Sequence, residues 1–178
     1  MNLRKQFDGR GRARKLAGLM GLLMLSQGLF AAADRPGLTV CVANPAAVEK
    51  SLAQEWEGEL RRILQASDRD LRVAACEEAG AVQVYFMRFH PSETSALGAA
   101  RTRRERVLPM VEVYTEPVAA LIGTRLPALL GKAMARVTAH ELTHYVRQET
   151  EHAEAGGFSG QYTAGLLLAA RPAYFGVR

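Results

Sequence analysis

His140, Glu141 and His144, in the stretch Ala139-His140-Glu141-Leu142-Thr143-His144, are of the types and at the spacing that metal-assisted hydrolysis needs. Side chains four apart on a helix project from one face about a turn apart, so both imidazoles can reach one tetrahedral Zn²⁺. Glu141, beside the first ligand, is then placed to act on a metal-held water as general base rather than as ligand. With His at about 2% and Glu at about 6% of residues, chance yields this pattern in such a chain on the order of 0.5% of the time.

The element that must carry these residues is a long helix from about Leu126 to Gln148, with Pro127 tolerated in its first turn. At about 100° per residue, Leu126, Leu130, Ala133, Met134, Val137 and Tyr145 fall on a buried stripe, with Lys132, Arg136, Thr143 and Arg147 opposite. His140, Glu141 and His144 lie on the apolar side. Turning two imidazoles and a carboxylate inward is costly without compensation, and a metal ion is the economical partner.

Upstream, Leu38–Val42 reads as a strand, and Asn44-Pro45 as the N-cap and first turn of a helix whose core residues are Val48, Leu52, Trp56, Leu60, Ile63 and Leu64. A second strand over Leu71–Cys76 completes a β-α-β unit, for which parallel pairing is expected. Ala81–Phe89 alternates so as to suggest a central strand covered on both sides. Leu97–Arg101 and Pro109–Tyr114 read as two further strands, one of them a sheet edge, and a short helix over Glu116–Ile122 ends at Gly123. An edge strand can hold an extended peptide by main-chain hydrogen bonds, or be blunted against aggregation; the sequence leaves both open.

Residues 1–33 carry a basic start (Arg4, Lys5, Arg10, Arg12, Arg14, Lys15), an apolar run and Ala31-Ala32-Ala33, the pattern of a cleaved secretory signal peptide; a retained membrane anchor is the rival, though glycines, Ser26 and Gln27 dilute the run. Of 23 Lys+Arg and 18 Asp+Glu, this leader holds six and one, leaving seventeen of each in residues 34–178. The formal +5 of the chain thus belongs to the leader, and the remaining single domain is neutral, which gives no support for nucleic-acid binding. Arg101, Arg103, Arg104 and Arg106 read as a solvated hairpin tip. An exported chain meets oxidising conditions, so a Cys41–Cys76 disulfide is expected; two free buried cysteines are the alternative.

A catalytic zinc takes three protein ligands and leaves one position for water. His152 would lie about 12 Å beyond His144 if the helix ran on, so the chain must bend back for it to serve; His90 is the fallback. His140-Glu141-x-x-His144, seven residues, His152 and then Gly156-Gly157-Phe158 resembles the compact secreted metzincin-type zinc peptidases, and the β-α-β-β-β-β order with Val113-Tyr114-Thr115-Glu116-Pro117-Val118 before the helix is similar to their amino-terminal half. The spacing to the third histidine is longer than the usual one, no glycine lies between His144 and His152, and Phe158 stands where the family's turn methionine sits. The resemblance implies an α+β, metzincin-like fold: a small mixed twisted sheet, the motif helix packed on it, and a short C-terminal subdomain. It further implies zinc ligands His140, His144 and His152, Glu141 as catalytic base and a peptide or protein substrate.

Tyr162 is a candidate donor to the tetrahedral oxyanion, a tyrosine packed on the helix being the alternative. Leu166-Leu167-Leu168 reads as a short closing helix. The expected function is an exported zinc peptidase without stable membrane association once the leader is removed. The alternatives are a non-catalytic exported domain that holds zinc to stabilise a binding module, and a metal-free interaction protein.

Overall fold

The computed structural model describes residues 37–92, 95–152 and 159–177. The leader lies outside the described residues, as do Gly156, Gly157 and the turn position Phe158. β1 (Gly37–Val42), α1 (Lys50–Gln65) and β2 (Asp70–Val73) form the expected crossover unit, with β1 and β2 parallel. β3 (Val82–Met87) pairs parallel with the other side of β1, and β5 (Arg106–Tyr114) pairs parallel with β3. β4 (Gly98–Arg103) closes the order β2-β1-β3-β5-β4 as an antiparallel edge. α2 (Thr115–Ile122), α3 (Pro127–Arg147) and α4 (Ala164–Ala169) follow, making an α+β fold on a five-stranded mixed sheet.

Local sequence explains most of these boundaries. Val82, Val84 and Phe86 turn one face of β3 into a core shared with Trp56 and Leu60 of α1 and with Val137 of α3. The other face is only half covered at Gln83, Tyr85 and Met87, and Phe89 is exposed, so β3 is central without being buried on both sides as expected. The β4–β5 connection is a two-residue turn with Arg104 and Glu105 both left-handed (φ 48° and 63°), the geometry that matches strand twist in a tight hairpin. Gly123, at φ 71°, ends α2 where a left-handed residue is needed.

Asn44 stands at the N-cap position of a 3₁₀ helix, Pro45–Ala47, but its side chain caps nothing there. Its Oδ1 accepts from the Phe86 N–H at 2.9 Å and its Nδ2 donates to the Phe86 carbonyl at 2.8 Å, tying the end of β1 to β3, while α1 begins after a separate 3₁₀ turn. Cys41 and Cys76 are disulfide-bonded with Cα atoms 5.2 Å apart, although β2 ends three residues before Cys76. Closing a loop of this length stabilises by roughly 3–4 kcal/mol on a chain-entropy argument.

α3 departs most from the stripe read in the sequence. Leu126 is 63% exposed, whereas Arg136 and Thr143 on the supposed solvent face are buried, Arg136 to 1% exposure. The helix is enclosed because α1 lies against a second side of it. A Cβ at Gly131 would stand 2.7 Å from Glu55 Cβ and 2.9 Å from the Leu52 carbonyl, so this close approach requires glycine. Trp56 Nε1 donates to Thr138 Oγ1 at 2.9 Å across the same interface.

Arg136 donates through Nε to Glu59 of α1 at 3.0 Å and to the carbonyls of Leu166, Leu167 and Ala170 at 3.2, 3.0 and 2.6 Å, with its guanidinium 5.1 Å from the Phe175 ring centroid. The C-terminal segment is thereby pinned to α3 within one compact unit, rather than standing as a separate subdomain. Arg136→Ala should lower unfolding free energy by about 3–5 kcal/mol, since it takes the donors from three carbonyls and leaves the buried Glu59 paired only with the exposed Arg62. Urea denaturation checks this, and Glu59→Gln in the same background should recover part of the loss.

Candidate metal centre

α3 presents His140, Glu141 and His144 on its last two turns, 3%, 7% and 5% exposed. The return of the chain that His152 requires is made by Gln148, which caps α3 in the left-handed region (φ 55°, ψ 36°). A glutamine there is strained relative to glycine, and its side chain offsets the strain. Oε1 accepts from the Val107 N–H at 3.2 Å, while Nε2 donates to the carbonyls of Val107 at 3.1 Å and Tyr145 at 2.7 Å. The helix end is thus locked to β5.

The Nε2 atoms of the three histidines stand at the corners of a nearly equilateral triangle: 3.2 Å between His140 and His144, 3.3 Å between His144 and His152, 3.1 Å between His152 and His140. Ligand nitrogens around a tetrahedral zinc with bonds of about 2.0–2.1 Å stand about 3.3–3.4 Å apart. The donor set therefore fits the ion in chemistry and in spacing. His144 Nδ1 lies 2.7 Å from the Glu149 carbonyl, which can only accept; Nδ1 must carry the hydrogen and Nε2 offers its lone pair to the centre. His90 is elsewhere: its ring packs on Tyr114 at 5.2 Å and its Nδ1 accepts from the Ser92 N–H.

Glu141 sits beside this triangle. Burial pushes its carboxyl up to about 8, against a hydrogen bond from the Ala100 backbone that favours the charged form. Gly98 makes room for it, because a Cβ there would come within 3.0 Å of Glu141 Oε1 and 2.7 Å of Val137. Burial lowers the pKa of His144 and the Glu149 carbonyl partly offsets this. Tyr162 packs its ring edge-on to His140 at 5.4 Å and against Phe175 at 6.2 Å, and it lines the cleft. Burial, then the Glu141 charge, holds its phenol well above the usual tyrosine range, so it stays a donor.

Gly98, the Ala100 amide, the Gln148 cap and the Glu149 carbonyl were not singled out in the sequence. Gly98 was detectable as a glycine within a strand pattern, the mark of close approach. The left-handed Gln148 carries no local signal.

His152→Ala should weaken zinc binding at least about tenfold, as read by competition with a chromophoric chelator. In metal-free protein Glu141 binds its proton more tightly folded than unfolded, so the stability from this shift is full below about pH 4.5 and is lost as pH rises through about 8. His144, with a lowered pKa, removes stability only as pH falls below 6.5. Between about pH 6.5 and 8 the urea midpoint of metal-free protein should therefore fall with rising pH, and Glu141→Gln should abolish that fall.

Compared with protein-family models, with curated proteins and with solved structures, the chain matches none.

Proposed function

We propose that this chain is an exported zinc-dependent peptidase of metzincin-like type, with His140, His144 and His152 holding the ion and Glu141 as the proton carrier. The observation that supports it most is the convergence of three Nε2 atoms within 3.3 Å of one another beside a buried carboxylate, in a cleft bounded by a sheet edge. Zinc, when bound, supplies the Lewis acidity that polarises a carbonyl and lets water ionise near neutrality. Glu141 takes the proton from the attacking water and returns it to the leaving amine, a role that its place on the cleft wall beside the histidines allows. Tyr162, held protonated at the cleft wall, donates to the developing oxyanion.

β4 orients the substrate. It is the sheet edge next to Glu141, and although the Ala100 amide is taken by Glu141, the small residues Gly98, Ala99 and Ala100 let an extended peptide approach the main chain there. The neutral balance of residues 34–178 favours a peptide or protein over nucleic acid. Export is favoured by the leader pattern and by the disulfide, which suits an oxidising compartment. Among the described residues no single helix is long and apolar enough to cross a membrane.

Glu141→Gln should lower peptide hydrolysis by about 10²–10⁴-fold while zinc content and thermal midpoint stay near wild type. Mass spectrometry of a mixed peptide pool and metal analysis check both. Equal, uncleaved pools from two folded, zinc-loaded proteins would overturn the peptidase reading and leave a structural zinc module.

A further inference from the structure

The larger cleft beside the histidines, about 580 Å³, has a wall that belongs neither to α3 nor to the sheet: Pro117, Ala120 and Leu121 of α2. Leu121 is half-buried against the core and so fixed in place, while Ala120 is exposed and offers only a methyl group, which leaves the wall deep. No charged side chain stands on this wall. Glu116, the one acidic residue of α2, is engaged by Arg125 and Arg88.

The strand directions assign this wall to one side of a bound peptide. An extended segment adding antiparallel to the free edge of β4 runs from the Arg103 end towards Gly98. The 580 Å³ cleft lies at the Gly98 end, and a smaller cleft of about 200 Å³, reaching Ala100 and Thr102, lies at the other; Glu141 and His152 line both. A bond held between the two places the residue that follows it against α2.

We infer that α2 is the specificity wall of this site, where Ala120 and Leu121 select substrates with an uncharged, apolar side chain immediately after the scissile bond. The inference rests on the peptidase reading above. A charged side chain entering there gives up hydration against Pro117, Ala120 and Leu121, which offer it no partner, and an acidic one also meets Glu141 across the cleft.

The test uses zinc-loaded wild type, Ala120→Trp and Leu121→Arg on a degenerate peptide pool, with cut sites read by mass spectrometry. In parallel, fluorescence anisotropy measures the affinity of two uncleaved peptides, alike except for Leu or Asp after the intended bond, for Glu141→Gln protein with and without each wall substitution. Apolar residues should dominate after the cut, and the Leu peptide should bind at least about tenfold tighter than the Asp peptide. Ala120→Trp should shift the profile to Gly and Ala, and Leu121→Arg should shrink the Leu/Asp ratio about tenfold. Ala120 is a surface position, so its tryptophan variant decides the matter if Leu121→Arg unfolds. An unchanged cut profile in Ala120→Trp, or equal affinity for the two peptides, overturns the inference and leaves the peptidase reading standing. No cleavage and no binding of either peptide by zinc-loaded protein overturns both.

Discussion

The structure depends on one constraint: α3 is at once the core of the fold and the carrier of its most polar residues. From Leu130 to His144 almost every side chain is buried, among them an arginine, two histidines, a glutamate and two threonines. Each such group gives up hydration and must recover it inside. Arg136 does so through Glu59 and three carbonyls, Thr138 through Trp56 and the Met134 carbonyl, and Thr143 through the Ala139 carbonyl. His140 and His144 instead aim Nε2 at each other and at His152, an arrangement in which a cation takes the place of a protein partner.

The histidine triangle exists only because the chain reverses within eight residues. Gln148 makes the reversal, and its bonds to Val107 mean that β5 fixes where the reversal occurs. The reversal also brings the Glu149 carbonyl onto His144 Nδ1, so one turn both delivers the third histidine and sets the tautomer of the second. On the far side Gly160 lies against the His152 ring, where a Cβ would sit 3.3 Å from it. The exposed histidine is therefore bracketed by backbone rather than buried, which keeps the triangle accessible from the cleft.

The two faces of this architecture differed in how readily the sequence revealed them. Strand alternation, the crossover unit, the helix carrying the histidines and the cysteine pair were legible because each rests on a local period or on residue type. Arg136 was misassigned to solvent because helical periodicity supposes one buried face, and α3 has several, with α1 closing on it at Gly131 and the C-terminal segment capping it. Asn44 departs from expectation for a related reason: it precedes a short 3₁₀ helix rather than α1, and the side chain that suits an N-cap equally suits a bridge to a neighbouring strand, which β3 provides. The return at Gln148 is compensated from 41 residues away, a distance at which sequence spacing carries no information.

The sheet edge shows why the cleft lies where it does. An unpaired edge invites association with other chains, and proteins blunt it with charge, bulges and twist. The β4–β5 hairpin has all three beyond Ala100: a register shift between Ala100 and Thr102, arginines at 101, 103, 104 and 106, and a tight left-handed turn. Arg101 is drawn back onto Glu112, which also accepts from the Tyr114 hydroxyl at 2.6 Å, so the bulge has a buried anchor. The first three residues, Gly98 to Ala100, carry none of these devices. At Gly98 the smallness is required from within, because Val137 and Glu141 press against it, and two residues on the Ala100 amide bonds to Glu141. The packing that brings the carboxylate to the edge thus keeps that stretch small and free of charge and bulge, while Glu141 itself takes the Ala100 amide, so any pairing strand is confined to the few residues nearest the histidines.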